Sequence, residues 1–325
     1  MPLQSGCRIK FFGDNMKIVY MGTPDFAVLP LKALIDSGYE VAGVFTQPDK
    51  PVGRKAILTP PPVKTLAIEN NIPVFQPASL KNGEGVKILE ELKPDVVIVV
   101  AYGKILPKDF LDYPHYGCIN IHGSLLPKYR GAAPIQRCVL DGEKYAGVTS
   151  MQMDVGLDTG DMLLKTVTEI GENETAGELF DRLAVMGADL LIETLVALKK
   201  GELKPEKQND AESTYAAMLD KTMSPVDWSK TAREVHNHIR GLDPWPVAQT
   251  VLEGKNLKLF SSELINNEGA GLPGSVKITK KGLLVYCGDG NPVFIKEVQC
   301  EGKKRMSAAD FFRGHPVADG TVLGQ

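Results

Sequence analysis

Apolar and polar positions follow two different patterns along the chain, and the change falls near Pro246. From Met16 to about Gly201, short apolar runs are separated by segments with helical spacing. The predicted strands are Lys17–Met21, Glu40–Thr46, Val74–Phe75, Asp95–Ala101, Cys118–His122, Gly147–Asp154 and Met162–Glu169. The predicted helices are Phe26–Ser37, Val63–Asn70, Gly85–Leu92, Ala133–Leu140 and Thr175–Lys200. This alternation predicts an α/β domain with a mostly parallel sheet that is covered on both faces.

After Pro244-Trp245-Pro246 the pattern changes to short strands separated by turn residues. The predicted strands are Ala248–Leu252, Leu257–Ser261, Gly274–Thr279, Gly282–Cys287 and Val293–Gln299. One helix is predicted from Trp228 to Arg240, and a closing helix capped by Ser307 is predicted over Met306–Phe312. Strands of this length and spacing predict a small antiparallel barrel.

The domain organisation follows from these patterns. We expect a catalytic domain over residues 16–204, a polar and turn-rich linker over 205–227, and a second domain over 228–325. Residues 1–15 show no periodicity and lack the apolar core of a signal peptide. Because the first strand begins after Met16, we expect Met16 to be the native start and the preceding segment to be a non-native or upstream extension. A short organellar address is the alternative.

Composition narrows the class of protein. At 325 residues, with 43% hydrophobic and 24% charged residues, the chain matches a globular protein of two domains. No apolar run approaches the ~20 residues of a membrane helix. Scattered cysteines without a C-x-x-C pair argue against disulfides and a zinc ribbon, so a cytoplasmic location with reduced thiols is expected. The net charge of −3 gives no bulk signal for nucleic acid, although a local basic face is compatible with it.

The strongest candidate chemistry lies at the end of a predicted strand. Asn120 and His122 are two residues apart, so they share one face of the strand, which breaks at Gly123. Downstream, Asp158 lies on a glycine-rich loop. An amide, an imidazole and a carboxylate that converge can stabilise an oxyanion and move a proton, as acyl transfer to an amine requires. A purely structural role for the strand histidine remains open at this point.

Other readings of the same segments are less favoured. Ser124 lacks the G-x-S-x-G context of a nucleophile elbow. Asp154, Asp158 and Asp161 lack the oxygen count of an EF-hand loop, so no metal site is expected. The turn Gly22–Phe26 lacks the G-x-G-x-x-G fingerprint of dinucleotide-binding folds, so the sequence argues against a nicotinamide cofactor.

Two further segments are candidate binding sites. Gly103 lets backbone approach a flat heterocycle, with Ile105 and Leu106 as apolar cover. The long loop Gln47–Pro62 carries Lys50, Arg54 and Lys55, which can hold phosphate or ribose. A solvated insertion is the alternative for this loop. Basic and aromatic residues are also interleaved in the second domain, where they either bind nucleic acid or guard strand edges.

These motifs together resemble one family. The runs Ser124–Pro127, Arg130–Gln136 and Met153–Asp161, with Gly22–Phe26 and the Gln47–Arg54 loop, look like the methionyl-tRNA formyltransferase family. The resemblance covers nearly everything from Met16 onward. Its Asn-x-His and Leu-Asp-x-Gly core is shared by folate-dependent formyltransferases in general, whereas the Arg-Gly-Ala-Ala-Pro run and the Gln-Pro-Asp loop point to the tRNA enzymes. Lys128-Tyr129 departs from the Arg-Trp pair often found in the family.

The resemblance implies a Rossmann-like formyltransferase domain and an OB-like barrel that binds tRNA. It implies 10-formyltetrahydrofolate as the formyl donor and methionyl-initiator tRNA as the acceptor, with no metal. The family's catalytic asparagine, histidine and aspartate fall on Asn120, His122 and Asp158. Its tetrahydrofolate contacts fall on Ser124, Leu125, Leu126 and Pro127, and the loop that touches the acceptor arm falls on Gln47–Pro62 with its basic residue at Arg54. We expect a monomer.

Three alternatives remain at the level of sequence. A folate-dependent formyltransferase that acts on a glycinamide ribonucleotide or an amino sugar would share the three catalytic residues but needs no barrel for tRNA. A hydrolase that releases formate from the same donor fits the same site. A nucleic-acid-binding protein with an inactive enzyme domain is disfavoured by the intact set of Asn120, His122 and Asp158.

Overall fold

The computed structural model describes residues 16–53, 55–81, 83–265 and 271–324. The expectations for residues 1–15 and for Arg54 therefore lie outside the described residues. The described residues form two compact units. The first unit takes its described residues from the ranges 16–130, 147–167 and 181–215, and the second takes its described residues from the ranges 131–146, 168–180 and 216–324.

The secondary structure of the described chain is as follows. The strands are β1 Lys17–Gly22, β2 Glu40–Phe45, β3 Lys50–Val52, β4 Ile57–Thr59, β5 Val74–Phe75, β6 Val96–Val100, β7 Cys118–His122, β8 Arg130–Gly131, β9 Tyr145–Gln152, β10 Met162–Glu169, β11 Tyr215–Ala216, β12 Gln249–Leu252, β13 Lys255–Leu264, β14 Val276–Ile278, β15 Leu283–Tyr286, β16 Pro292–Cys300 and β17 Met306–Ser307. The helices are α1 Val28–Asp36, α2 Pro62–Glu69, α3 Glu84–Leu92, α4 Lys108–Leu111, α5 Pro134–Leu140, α6 Ala176–Lys200, α7 Ala232–Gly241 and α8 Ala308–Gly314. Among these helices, none is both long and apolar enough to cross a membrane.

Seven of the described strands form one sheet in the order β10-β9-β7-β6-β1-β2-β5. The pairs β1–β2, β1–β6, β2–β5 and β6–β7 are parallel, and β9 runs antiparallel to β7. Every residue of the valine- and isoleucine-rich strand β6 is buried, as expected for a central strand covered on both faces. The predicted mostly parallel sheet is confirmed. Its topology brings the carboxyl ends of β1, β2, β6 and β7 to one edge.

A smaller antiparallel sheet lies in the second unit. Its strand order is β12-β13-β16-β15-β14, and β17 pairs with β16. The pairings β12–β13, β13–β16 and β15–β16 are antiparallel. Helix α7 packs on β13 and β16 over an apolar core that includes Val235, Leu259 and Ile295. The predicted small antiparallel β-domain is confirmed as a curled half-barrel sheet.

Two local predictions need correction. The helix expected from Trp228 begins at Ala232, because Thr231 caps it: the Thr231 side chain accepts from the Glu234 backbone, and the Glu234 side chain accepts in return from the Thr231 N–H. The Gln47–Pro62 segment, expected to be a long binding loop, contains the antiparallel hairpin β3–β4. Its two strands are only three residues long and exposed throughout, so neither shows the apolar alternation by which strands are found in sequence.

Candidate active site

The three residues that the sequence singles out lie together in the first unit. Asn120 and His122 project from the end of β7 and are 8% and 7% exposed. Asp158 lies in the loop between β9 and β10, and its side chain is 14% exposed. Asn120 Nδ2 donates to Asp158 Oδ1 over 3.4 Å, and His122 Nδ1 lies 3.8 Å from Asp158 Oδ2. An amide donor, an imidazole and a carboxylate therefore meet in a largely desolvated place.

A backbone carbonyl orients the imidazole. His122 Nε2 lies 2.9 Å from the carbonyl oxygen of Tyr129. A carbonyl oxygen can only accept, so Nε2 carries the proton and Nδ1 is the nitrogen that faces Asp158. In the neutral ring, Nδ1 then holds a lone pair, and in the charged ring it holds a second N–H. The same nitrogen can accordingly accept or donate a proton.

The loop that carries Asp158 is built tightly. Asp158 has a backbone φ of 52°, the left-handed region that costs a residue with a side chain on the order of 1–3 kcal/mol. Asp154 Oδ1 accepts from the Gly156 N–H over 2.9 Å and from the Thr159 hydroxyl over 2.6 Å. At Gly160, an added Cβ would lie 1.8 Å from the carbonyl oxygen of Gln152. Side-chain bonds and close backbone contact thus hold a strained residue whose carboxylate reaches β7.

The Ser-Leu-Leu-Pro run forms a turn held against β9. The Ser124 hydroxyl donates to the Lys128 carbonyl over 2.7 Å, and the Thr149 hydroxyl donates to the Ser124 carbonyl over 2.7 Å. Leu126 is 1% exposed, and the Leu126–Pro127 peptide bond is cis. Leu125 and Pro127 are partly exposed. The Ser124 hydroxyl is engaged within the turn, so any folate contact of this run falls chiefly to its backbone, Leu125 and Pro127.

The segment after β6 offers both backbone and apolar surface. Gly103 is exposed with a φ of 81°, a conformation that suits glycine. Ile105 is 82% exposed, whereas Leu106 is 3% exposed and packs in the core with Val99 and Phe110. Of the three residues expected to contact folate here, Gly103 and Ile105 are accessible and Leu106 supports them from below.

Two residues of the motifs singled out in the sequence, Thr23 and Gln47, form a polar network at the strand ends that the sequence pattern does not predict. Gln47 donates through its side chain to the Tyr102 carbonyl over 3.0 Å, and Thr23 donates to the same carbonyl over 3.1 Å. The Gln47 N–H donates to the Thr23 hydroxyl over 3.4 Å. These bonds tie together the carboxyl ends of β1, β2 and β6, next to the start of the β3–β4 hairpin.

The base of the hairpin is held by an ion pair. Lys64 Nζ donates to Asp49 Oδ1 over 2.8 Å and to Gln76 Oε1 over 2.8 Å, and Gln76 Nε2 donates to the Gln47 carbonyl over 2.8 Å. The hydrogen bond from Lys64 lowers the pKa of the Asp49 carboxyl. Beyond this base, Lys50 and Lys55 are exposed, as are the apolar side chains of Val52, Ile57 and Leu58, at 56–64%. The hairpin thus presents cationic and apolar groups from an anchored base.

A cavity of about 500 Å³ lies beside the site rather than at it. Its lining is Lys108, Leu111, Asp112, Pro114, His115, Tyr116, Gly117, Gln152, Met153, Asp154 and Val155. It shares the segment Met153–Val155 with the loop of Asp158 but contains none of Asn120, His122 and Asp158. Because those three side chains carry the chemistry, we place the reacting centre at them and not in this cavity.

Two other ionisable side chains near the site, Cys118 and Tyr102, stay protonated at neutral pH. Burial raises the pKa of the Cys118 thiol on β7 to about 12, so it stays protonated and is a poor nucleophile. Burial likewise raises the pKa of Tyr102 to about 12. Across the described residues, no group of three or more His, Cys, Asp or Glu side chains is placed to hold a metal ion.

Sequence reasoning missed two residues that contact the candidate triad. Tyr129 holds His122 through its carbonyl, and Gln208 donates to the backbone of the Asp158 loop. Contacts through backbone carbonyls leave no signature in the side-chain pattern, so no signal in the sequence could have found the first. Gln208 lies within residues 205–227, which the sequence pattern predicts to be a linker.

Comparisons with known proteins match this architecture. A formyl transferase family model matches residues 16–195, and a model of the formyl transferase C-terminal domain matches residues 218–316. A methionyl-tRNA formyltransferase of Alkaliphilus metalliredigens is 50% identical over 311 residues, which is 95% of this chain and 99% of that protein. A methionyl-tRNA formyltransferase of Acetivibrio thermocellus is 51% identical over 312 residues, which is 95% of this chain and 100% of that protein.

Solved structures show the same fold at lower identity. An N-formyltransferase from Helicobacter canadensis, in complex with folinic acid and dTDP-3-aminofucose, has a TM-score of 0.67 and 21% identity, and the match covers 86% of this chain and 98% of that one. A sugar 3N-formyl transferase has a TM-score of 0.66 and 20% identity, and the match covers 90% of this chain and 100% of that one. The chain therefore belongs to the methionyl-tRNA formyltransferase family, and it is a folate-dependent formyl-transferring enzyme of that family.

Proposed function

We propose that this enzyme transfers the formyl group of 10-formyltetrahydrofolate to the α-amino group of methionyl-initiator tRNA, with Asn120, His122 and Asp158 as its catalytic residues. The observation that carries the proposal is the Asp158 carboxylate, which lies 3.4 Å from Asn120 Nδ2 and 3.8 Å from His122 Nδ1. The 50% and 51% identity to proteins named methionyl-tRNA formyltransferases supports the choice of acceptor.

The acceptor amine is already reactive near neutral pH. An α-amino group has a pKa of ~7.7–8.0, and an esterified one is no more basic, so much of it is unprotonated at physiological pH. The enzyme must position this amine against the formyl carbon, a contribution worth up to roughly 7–11 kcal/mol in ideal intramolecular cases. Neither a metal nor a covalent enzyme intermediate is required by this chemistry.

The attack creates negative charge on the formyl oxygen. The amine nitrogen forms a bond to the formyl carbon, and the electron pair of the carbonyl moves to oxygen. Asn120 Nδ2 carries two N–H donors, so one can hold Asp158 while the other donates to the oxyanion. His122, when charged, can donate from Nδ1. One such donor is typically worth about 10²–10³ in turnover.

Proton movement completes the reaction. The attacking amine loses one proton, for which Asp158, directly or through water, is the acceptor in this proposal. The bond from the formyl carbon to N10 of the folate then breaks, its electron pair stays on N10, and N10 takes up one proton.

Folate and tRNA contacts follow from the same placement. We assign the folate to Gly103 and Ile105, supported from below by Leu106, on one side and to the Ser124–Pro127 turn on the other, both of which lie at strand ends. The β3–β4 hairpin, through Lys50, Arg54 and Lys55, would contact the acceptor arm. In the second unit, exposed lysines such as Lys280 and Lys303 are available for phosphates. The domain boundaries, a cytoplasmic location and a monomeric state stay predictions.

Formyl transfer to charged initiator tRNA is the decisive experiment. The purified protein should formylate methionyl-initiator tRNA from 10-formyltetrahydrofolate, with much lower rates on elongator methionyl-tRNA and none on uncharged tRNA. Formate release without an acceptor would favour the hydrolase alternative. Transfer to an amino sugar or a glycinamide ribonucleotide, with none to tRNA, would replace the proposed acceptor.

The role of the hairpin is tested through salt dependence. Arg54→Ala should weaken use of tRNA and flatten the fall of apparent affinity with rising salt, because one phosphate contact is lost. The rate with saturating tRNA should change little. Rates identical to those of the parent protein at every salt concentration would contradict a contact at Arg54.

A further inference from the structure

The segment that follows helix α6 and contains Gln208 is bonded directly to the loop of Asp158. Glu206 and Met162 exchange backbone hydrogen bonds of 2.9 and 2.8 Å. Two residues further on, Gln208 Nε2 donates to the carbonyl oxygens of Asp158 and Gly160, each over 2.8 Å. One side-chain amide thus holds the backbone on both sides of Thr159.

Arg130 fixes which way that amide points. Arg130 Nε donates to Gln208 Oε1 over 3.0 Å, and Arg130 Nη2 donates to Asp210 Oδ1 over 2.7 Å. A guanidinium only donates, so the amide oxygen must face Arg130 and the NH₂ group must face the loop. Both N–H groups of Gln208 are then used on carbonyls and its oxygen on Arg130. A side chain with an acceptor at one side and two donors at the other is needed for this arrangement.

The same segment also reaches the support of His122. The Tyr129 N–H donates to the Thr214 hydroxyl over 2.8 Å, and the Arg130 N–H donates to the Thr214 carbonyl over 2.9 Å. The Tyr129 carbonyl is the group that accepts from His122 Nε2. Residues 206–214 therefore support both Asp158 and His122. Gln208 bonds to the backbone of Asp158, and Thr214 bonds to Tyr129, whose carbonyl holds His122.

We propose that Gln208, oriented by Arg130, is a positioning residue that holds Asp158 in its left-handed backbone conformation so that the carboxylate meets Asn120 and His122. This inference rests on the proposed catalytic role of Asp158. A non-glycine residue at a φ of 52° persists only where its surroundings over-determine it, and the two carbonyl bonds of Gln208 add to the constraint that the Asp154 bonds provide within the loop. Without them the loop can relax, and a shift of about 1 Å in a reacting group can cost on the order of 10²-fold in rate.

Gln208→Leu tests the proposal because it keeps the size of the side chain and removes its polar groups. We expect kcat to fall by about 10- to 100-fold, with KM for tRNA and for the folate within about three-fold of the parent values. Asn209→Ala is the matched control. Asn209 is exposed in the same segment, and its side chain bonds to Ala211 and Glu212 rather than to the loop of Asp158, so kcat of the Asn209→Ala enzyme should stay within about two-fold of the parent value.

A double-mutant cycle separates positioning from general stability. In the background of Asp158→Ala, the Gln208→Leu change should cost no further turnover, because there is no carboxylate left to position. A merely structural role predicts that the two losses multiply, and that outcome would overturn the proposal. So would a Gln208→Leu enzyme as active as Asn209→Ala. If Asp158→Ala itself retains near-normal turnover, the catalytic role of Asp158 fails, which is a distinct result.

Gln208→Glu decides the matter if the leucine variant does not fold. It keeps the acceptor for Arg130 and replaces the two N–H donors with an oxygen that faces the Asp158 and Gly160 carbonyls. A loss of kcat of about 10-fold or more at unchanged KM supports the proposal. Parent-like kcat in this variant contradicts it, because the donors would then be dispensable.

Discussion

The imidazole of His122 is tied to the backbone carbonyl of Tyr129, with Nε2 and the oxygen 2.9 Å apart. This bond decides more than the ring's orientation. It assigns the proton of the neutral ring to Nε2 and leaves Nδ1 as the nitrogen nearest Asp158. Any proton that His122 donates or accepts in the reaction therefore passes through Nδ1.

The tautomer can be measured directly. In two-dimensional ¹H–¹⁵N spectra of protein labelled at histidine, at a pH where His122 is neutral, Nε2 should show the shift of a protonated nitrogen and Nδ1 that of an unprotonated one. The assignment would come from His122→Gln, whose spectrum should lack this pair of signals. The opposite pattern for His122 would show that Tyr129 does not fix the ring.

Removal of the amide or the carboxylate should stop turnover without unfolding the protein. Asn120→Ala and Asp158→Ala are each expected to lower kcat by at least ~10²-fold, since each removes a group that acts on the developing charge or the proton. Thermal unfolding should stay close to that of the parent. Asp36→Ala, which breaks an exposed pair with Lys32, is a suitable control with parent-like kcat. Near-normal turnover of either site variant would end the assignment.

Gly160 should not tolerate a methyl group. A Cβ there would lie 1.8 Å from the Gln152 carbonyl oxygen, so Gly160→Ala must displace backbone of the loop or of β9. We expect a loss of about 1–3 kcal/mol in the free energy of unfolding, together with reduced kcat because the loop carries Asp158. Gly314→Ala, where a Cβ meets nothing within 4 Å, should leave both quantities unchanged. Denaturant unfolding and steady-state assays on the two variants compare these outcomes.

The anchor of the hairpin should matter for tRNA and not for folate. Lys64→Met removes the bonds to Asp49 and Gln76, and we expect KM for tRNA to rise several-fold, about 3- to 10-fold, with KM for the folate unchanged. Asp49→Asn breaks the same ion pair but removes a negative charge, which by itself would strengthen tRNA binding.

The pair of variants distinguishes anchoring from charge. If anchoring matters, KM for tRNA rises in both Lys64→Met and Asp49→Asn. Opposite changes in the two variants would show that only the net charge counts. Lys32→Met, which removes an exposed lysine paired with Asp36, controls for a general loss of positive charge.

Acid should destabilise the second unit through a buried histidine. Burial lowers the pKa of His236, whose Nε2 donates to the Glu172 carbonyl over 2.9 Å and whose Nδ1 accepts from the Ser262 hydroxyl over 2.8 Å. The folded-state pKa lies below the unfolded value of ~6.5, so the unfolded chain binds the extra proton first. Stability is therefore full above about pH 6.5 and is lost as the pH falls toward the folded-state pKa. The pKa of His238 is lowered by burial in the same sense.

Unfolding measured between pH 5 and 7.5 checks this expectation. His236→Gln should be less stable than the parent at pH 7.5, because the paired imidazole is lost, but its stability should fall less steeply below pH 6.5. His315→Gln removes an exposed ring, so its free energy of unfolding should fall with decreasing pH as steeply as that of the parent. If the free energy of unfolding falls equally steeply below pH 6.5 in His236→Gln and in the parent, His236 does not govern the acid sensitivity.

Much of the fold could be predicted because it is written in local patterns. Runs such as Val96–Val100 are too β-branched and too short for a helix, and their alternation with helical segments specifies a parallel sheet. Asn120 and His122 could be placed on one face of a strand end, because strand side chains alternate with period two. Helix α7 begins at Ala232 rather than at the predicted Trp228, and the residues that set this start, Thr231 and Glu234, form a capping box that is also visible in the sequence.

The sequence by itself determined which residue types were available and where each strand would present them. Only the tertiary structure decided which of them meet. Gln208 bonds to the backbone of Asp158, which lies 50 residues earlier in the chain, and Tyr129 holds His122 through a carbonyl that every residue possesses. Such contacts depend on closure of long loops and on backbone groups without a side-chain signature, so no local pattern encodes them.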